Sequence, residues 1–156
     1  MLSYALRQSL NKSNDWIAAK NKIGDVIHKG FNVVKGSYSF SRDGGAVGDI
    51  NLKDQDGVSV VKIPSGAVVL NAFVVVSTAC TSGGAATIDV QIEAANDLLA
   101  AGAVASFSSA AKLQGVPDFG TLADSVVTTA ERTLSISVNT AALTAGAFDV
   151  FVFYVF

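Results

Sequence analysis

The nine C-terminal residues, FDVFVFYVF at 148–156, constrain the fold more than any other stretch of this sequence. All of them except Asp149 are aromatic or β-branched, which favours an extended strand. Side chains alternate along a strand, so Phe151, Phe153 and Val155 share a face with Asp149, and the remaining residues share the opposite face. Both faces are largely apolar and must be covered by the chain itself, by a partner or by lipid. We expect a central strand whose inner face packs on a second sheet, with neighbouring subunits covering Phe151, Phe153 and Val155.

The charges divide the chain into two parts. Residues 1–35 hold six basic and two acidic side chains, whereas residues 36–156 hold five basic and eleven acidic ones. Only 15% of the chain is charged and 50% is apolar, so it is either very well buried or buries surface against other chains. We predict a basic N-terminal arm, residues 1–35, that docks on an acidic partner, followed by a β-sandwich body, residues 36–156.

The arm carries helix signals, because leucines recur every four residues near its start and apolar residues from Trp16 to Ile27 follow helical spacing. We therefore expect it to be partly helical. One large aromatic residue with flanking cations is a typical docking anchor, and the predicted docking residues are Lys12, Trp16, Lys20 and Lys22. A Trp16 that merely pins the arm to its own body remains an alternative. The first sixteen residues contain no continuous apolar region, so we expect no signal peptide, and no window is apolar enough for a membrane helix.

After residue 35 the pattern is that of short strands separated by turn clusters. About eight strands are predicted, at 36–42, 58–63, 67–80, 86–94, 103–109, 124–130, 132–139 and 148–156. Strands 124–130 and 132–139 look like a hairpin pair. Strand 86–94 alternates cleanly, which predicts a solvent-exposed face containing Asp89 and Glu93. The pattern favours a mainly β fold, an antiparallel sandwich of jelly-roll or Greek-key type.

The sequence offers little catalytic chemistry. His28 is the single histidine, and Cys80 lies in an apolar strand rather than in a reactive turn. A nucleophilic hydrolase is therefore disfavoured, and a monomer cannot assemble a zinc site. A calcium site formed by Asp49, Asp54 and Asp56 remains open, although the spacing does not fit an EF-hand. We expect no enzyme activity and no cofactor.

Two further classes of function are disfavoured by the placement of charges. Asp89 and Glu93 lie about 13 Å apart along a strand, which is too far for either glycosidase geometry. The β body is acidic, whereas nucleic-acid binding requires basic residues interleaved with aromatic ones. We expect neither nucleic acid nor a membrane as a partner.

Three stretches resemble small structural proteins of tailed bacteriophages. They are KIPSGAVVLNAFVVVSTACTSGGAATIDVQIEAANDLLAA, VVTTAERTLSISVNTAALTAG and the closing FDVFVFYVF, and the likeness covers residues 58–156. The chain is similar to capsid decoration, or cement, proteins. This resemblance implies a β-sandwich that trimerises, binds the major capsid protein over the joints between its subunits and clamps the shell. It implies no catalytic residue, synthesis in the host cytoplasm and a location on the capsid surface of the virion.

Two alternatives remain from the residues alone. A phage tail or fibre could use such a sandwich as a receptor- or carbohydrate-binding module. An outer-membrane β-barrel would explain an aromatic C-terminal strand ending in Phe156. Strands that are apolar on both faces argue against the barrel, because its inner face should be polar.

Overall fold

The computed structural model describes residues 30–114 and 126–156 of the chain. The chain divides into two compact units, residues 1–32 and 33–156. Almost all of the first unit, including its predicted helices, lies outside the described residues, so the arm and its boundary at residue 35 stay predictions. The second unit consists mainly of antiparallel strands, and no helix among its described residues is long and apolar enough to cross a membrane.

Ten strands and one helical turn follow each other along the described chain. They are β1 (Asn32–Ser39), α1 (Phe40–Asp43), β2 (Gly48–Asn51), β3 (Lys62–Ile63), β4 (Val68–Ser82), β5 (Thr87–Gln91), β6 (Leu99–Ala103), β7 (Lys112–Gln114), β8 (Arg132–Thr133), β9 (Ser135–Asn139) and β10 (Leu143–Val155). A short 3₁₀ turn, Val104–Ser106, follows β6.

The strands form two main sheets. Sheet A has the order β1-β10-β4-β7, sheet B has the order β2-β9-β5-β6, and a two-stranded sheet joins β3 to β8. The predicted antiparallel β-sandwich is therefore confirmed, while its jelly-roll or Greek-key order stays a prediction. The C-terminal strand is central, as expected, because β10 lies between β1 and β4.

The longest pairing in the fold joins β4 and β10. Their antiparallel register runs from Leu143 opposite Ser82 to Val155 opposite Val68. The register shifts around Gly146, whose φ of +136° is open mainly to glycine. A side chain there would also collide with the sulfur of Cys80, so the sequence requires glycine at this bulge.

The core lies between sheets A and B and is built from the inward residues of each strand. Phe148 is 1% exposed. Its ring lies 5.0 Å from that of Tyr38 and 5.2 Å from that of Phe107. Smaller apolar residues from both sheets complete this core, among them Val74, Val76, Ile88, Val90, Ile136, Val138, Val150 and Val152. Fully burying one such side chain stabilises the fold by about 1.5–3 kcal/mol.

A corner joins one edge of sheet A to the end of β2. Ser37 of β1 and Lys53 exchange both backbone hydrogen bonds, at 2.7 and 3.2 Å. Asp43 of α1 lies beneath this corner with its side chain 2% exposed. Burial alone would raise the pKa of Asp43, but hydrogen bonds from Arg42, the Ser39 amide and Lys53 hold it below its ordinary value. The buried and hydrogen-bonded carboxylate of Asp43 therefore stabilises this corner.

Among the predicted strands, the following three differ clearly from those observed. The first strand ends at Ser39, because Phe40–Asp43 turns into one helical turn. In place of 58–63, only Lys62–Ile63 is a strand, since the Asp54 carboxylate accepts the Val58 amide and closes a turn ahead of it. In place of 103–109, the strand is Leu99–Ala103. The sequence there is a run of small residues without alternation, which leaves the position of a strand undefined.

The predicted hairpin between 124–130 and 132–139 is wrong for the residues described. Val127 bridges to Val68 of β4, whereas β9 pairs with β5 and β2. The reason is Thr128, a buried hydroxyl that accepts a hydrogen bond from the Ala67 amide and donates one to the Pro64 carbonyl. These bonds hold residues 126–130 against β4, and the hairpin would have left Thr128 without them.

Candidate interaction surface

The outer face of sheet A carries a cluster of aromatic residues. The ring of Phe73 on β4 stacks on Phe151 and Phe153 of β10, with centroids 5.1 and 5.5 Å apart. These three rings are half-buried, as are Val75 and Val155 on the same side of the sheet. We call these five residues the aromatic face. Alternation along β4 and β10 places them there, because their neighbours in sequence point into the core.

A polar cluster on β1 and β10 borders the aromatic face, and Asn71 lies opposite Phe153 on the same side of the sheet. The Asp149 carboxylate accepts a hydrogen bond of 2.6 Å from the Ser37 hydroxyl and lies 3.3 Å from the Lys35 ammonium. The side chains of Lys35 and Asp149 are 29% and 37% exposed. Both charges are thus partly shielded from water, and each finds its partner on the neighbouring strand.

The outer face of sheet B has the opposite character. It presents the polar side chains of alternating residues, namely Asp49, Asn51, Thr87, Asp89, Gln91, Ser135, Ser137 and Asn139. The strands of sheet B contain two aspartates and no lysine or arginine. The sandwich therefore has one side with an aromatic cluster and one polar, acidic side.

The structure corrects the predicted exposure of Asp89. Its side chain points to the outer side of sheet B as expected, but the residue is only 7% exposed. The carboxylate accepts hydrogen bonds from the Ala101 amide and from the Asn139 amide group. Neighbouring strands thus cover and satisfy Asp89, which alternation within its own strand could not indicate.

Glu93 is held in a specific pair rather than free in solvent. Both of its oxygens bind Arg132, each at 2.7 Å, and Thr129 also donates to it. The Arg132 guanidinium, with help from Thr129, lowers the pKa of Glu93 to about 2. A bidentate pair of this kind orients the residues around it, and here it connects the turn after β5 to the start of β8.

No cluster suited to metal binding occurs within residues 30–114 and 126–156. Asp54 is used inside its own turn, where hydrogen bonds from the backbone of Val58 and its neighbours hold its pKa below the ordinary value. The calcium possibility at Asp49, Asp54 and Asp56 therefore gains no support from the geometry.

Two further candidate features, the Cys80 thiol and a groove beside β6, offer little catalytic chemistry. Burial raises the pKa of the Cys80 thiol to about 11, so it is not a nucleophile at neutral pH. A groove of about 490 Å³ beside β6 is lined by nine uncharged residues between Thr81 and Ala105. Within the described chain, neither feature gathers an acid, a base and a nucleophile in one place.

The predicted interface residues lie together, whereas the predicted docking residues cannot be placed. Phe151, Phe153 and Val155 share the outer face of sheet A. Sequence reasoning missed Phe73, although alternation along the predicted strand 67–80 could have placed it on that face. The docking residues Lys12, Trp16, Lys20 and Lys22, together with His28, fall outside the described residues.

Comparison with solved structures identifies chains from phage capsids. One is in the acidic stable capsid structure of Helicobacter pylori bacteriophage KHP30, with a TM-score of 0.51 and 17% identity over 80% of this chain and 86% of that one. Another is in the capsid asymmetric unit of cyanophage Pam1, with a TM-score of 0.51 and 23% identity over 80% of this chain and 83% of that one. These likenesses show the fold.

Neither protein-family models nor curated protein sequences match this chain. The sandwich therefore shares its fold with chains found in phage capsids.

Proposed function

We propose that this chain is a non-enzymatic structural protein of a phage virion, and that it decorates the outer surface of the head as a capsid cement protein. The observation that carries the proposal is the fold likeness to capsid chains over 80% of the sequence. In this proposal the protein is made in the host cytoplasm and binds the shell formed by the major capsid protein.

The aromatic face supports assembly as a homotrimer. Phe151, Phe153 and Val155, now joined by Phe73, form an apolar surface on rigid central strands. Interfaces between permanent subunits are apolar at their centres and enriched in aromatic residues. Three copies related by a rotation axis would cover this face and leave the polar outer face of sheet B in solvent.

The basic arm supplies the second contact, with the major capsid protein. Lys12, Trp16, Lys20 and Lys22 remain the proposed docking residues on the sequence argument alone. Cations around one large aromatic side chain suit an acidic partner, where the charges increase the rate of encounter and the aromatic ring supplies contact area. A protein that bridges capsid subunits in this way would stabilise the shell against internal pressure.

Heads produced without this protein provide the test. Purified full-length chain is added to them, and occupancy is measured by electron microscopy and by co-sedimentation, together with the temperature at which the heads release DNA. The proposal predicts saturable binding and a higher release temperature. A variant lacking residues 1–30 should bind weakly, and undiminished occupancy would remove the arm from the mechanism.

Separated heads and tails distinguish the main alternative. Mass spectrometry should find the chain in heads at a fixed ratio to the major capsid protein. Recovery from tails alone would instead support the receptor- or carbohydrate-binding module, and would overturn the cement proposal.

A further inference from the structure

One ion pair, Lys35 with Asp149, borders the aromatic face. Asp149 lies on the same side of β10 as Phe151, and its partners Lys35 and Ser37 come from the adjacent strand β1. No other carboxylate lies on β1, β4 or β10. A contact that covers the aromatic face therefore also covers this pair or its border, and the charges must be accommodated there.

The pair is held in position before any contact forms. Ser37, which donates to Asp149, exchanges two backbone hydrogen bonds with Lys53. The Ser37 carbonyl also accepts a hydrogen bond of 2.6 Å from the Arg42 guanidinium. The direction of the Asp149 carboxylate is thus fixed by the corner between the sheets, so little ordering is needed when a partner arrives.

The charges on this side of the sandwich favour a second copy of the same chain as the partner. Residues 33–156 carry six basic and eleven acidic side chains, so two bodies repel each other on average. On β1, β4 and β10 the charge is balanced, with Lys35 against Asp149, and the edge strand β7 adds Lys112 opposite Val75. The three strands β1, β4 and β10 of each copy thus offer one cation and one anion, and a neighbouring copy supplies the complement to both.

We propose that the Lys35–Asp149 pair sets the register and the stoichiometry of the self-contact through the aromatic face. This inference rests on the proposed self-association. Two apolar surfaces can pack against each other in several registers. A copy shifted out of the correct register would, however, bury one charge of the Lys35–Asp149 pair without a compensating charge. The stacked rings of Phe73, Phe151 and Phe153 supply affinity, and the ion pair supplies specificity, in the same way that isolated polar residues specify register in coiled coils.

A double-mutant cycle on the full-length chain tests this division of roles. The single variants Lys35→Met and Asp149→Leu each leave one charge without its partner, so we expect the self-association constant to fall at least tenfold. The double variant Lys35→Met/Asp149→Leu removes both charges. It should associate as tightly as the wild type but populate more than one oligomeric state in native mass spectrometry. Circular dichroism identifies folded variants, and Asp149→Asn and Ser37→Ala give milder versions of the same perturbation.

A second ion pair provides the matched control. The Lys62 ammonium on β3 lies 2.6 Å from the carboxylate of Glu131, the residue before β8, and both side chains are more than half exposed. The double variant Lys62→Met/Glu131→Gln should keep the wild-type oligomer. The proposal is overturned if Lys35→Met and Asp149→Leu leave both the association constant and the oligomer distribution unchanged, or if the double variant loses the sum of both single effects.

Failure of the underlying self-association gives a different result. Phe151→Ser/Phe153→Ser should yield folded monomers. If it does, while the Lys35 and Asp149 variants match the wild type, only the register proposal fails. If Phe151→Ser/Phe153→Ser keeps the wild-type oligomer, the aromatic face is not the contact, and the proposed assembly fails together with the register.

Discussion

Two phenylalanines three residues apart on β10 should respond very differently to truncation. Phe148 is 1% exposed and contacts the rings of Tyr38 and Phe107 in the core. Phe148→Ala should lower the free energy of unfolding by about 3–5 kcal/mol, as is typical of Phe→Ala in a core. The loss should lie near the upper end, since two ring pairs of about 0.5–1.5 kcal/mol each disappear. For a domain whose total stability is about 5–15 kcal/mol, this is a large fraction.

Phe151 provides the internal control because it has the same chemistry on the opposite face. Its ring is half-buried and stacks on Phe73 at 5.1 Å. Phe151→Ala should therefore cost the isolated subunit only about 1–2 kcal/mol. If the aromatic face is a subunit contact, the same variant should also remove the dependence of stability on protein concentration.

Urea unfolding followed by circular dichroism, at protein concentrations a hundredfold apart, separates the two effects. Phe148→Ala should lower the free energy of unfolding in urea at both concentrations. In thermal unfolding, the same variant should have a melting temperature lower by roughly 6–20 °C. The free energy of unfolding of Phe151→Ala should lie within about 1–2 kcal/mol of the wild-type value at the low concentration and fall further below it at the high one. Equal losses for the two variants at both concentrations would refute the assignment of inner and outer faces.

Three further outcomes follow from individual contacts. Thr128→Val should cost about 1–3 kcal/mol in urea unfolding, because the buried Ala67 amide loses its acceptor; a change below about 0.5 kcal/mol would contradict this. Arg132 lowers the folded pKa of Glu93 to about 2 from an ordinary 4.5, so the stability from this pair is present above pH 4.5 and lost as pH falls towards 2. Glu93→Gln should flatten that part of the pH profile of unfolding, and an unchanged slope would count against the pair. Cys80, with a pKa of about 11, should react with a disulfide reagent at pH 8 only as fast as the protein unfolds, so rapid labelling of the folded chain would show that it is accessible.

The mainly β fold class and the central position of the C-terminal strand could be predicted, because both depend on the local pattern of apolar and polar side chains. FDVFVFYVF is apolar on both faces, and only a central strand tolerates this without exposing one face. Strand 67–80 was predicted for the same reason and is observed as Val68–Ser82. In both cases the signal lies within one segment and does not depend on the identity of its neighbours.

The errors arose where long-range contacts decide the outcome. The buried hydroxyl of Thr128 holds its segment on β4, and nothing within residues 124–139 indicates this. The same holds for Asp89, whose partners Ala101 and Asn139 come from two other strands. Pairing partners separated by dozens of residues leave no local trace in one sequence, so the strands are more predictable than their order.

The candidate surface was predictable in part. Phe151, Phe153 and Val155 follow from alternation, whereas Phe73 needs the register between β4 and β10. The ion pair of Lys35 with Asp149 required the knowledge that β1 lies beside β10.

Cryo-electron microscopy of the mature particle tests the central claim most directly. The account predicts density for the sandwich on the outer surface of the head, over joints between major capsid subunits. It also predicts that the aromatic faces of neighbouring copies meet and that the polar face of sheet B faces solvent. A head surface without such density, or copies that expose the Phe73, Phe151 and Phe153 rings to solvent, would contradict it.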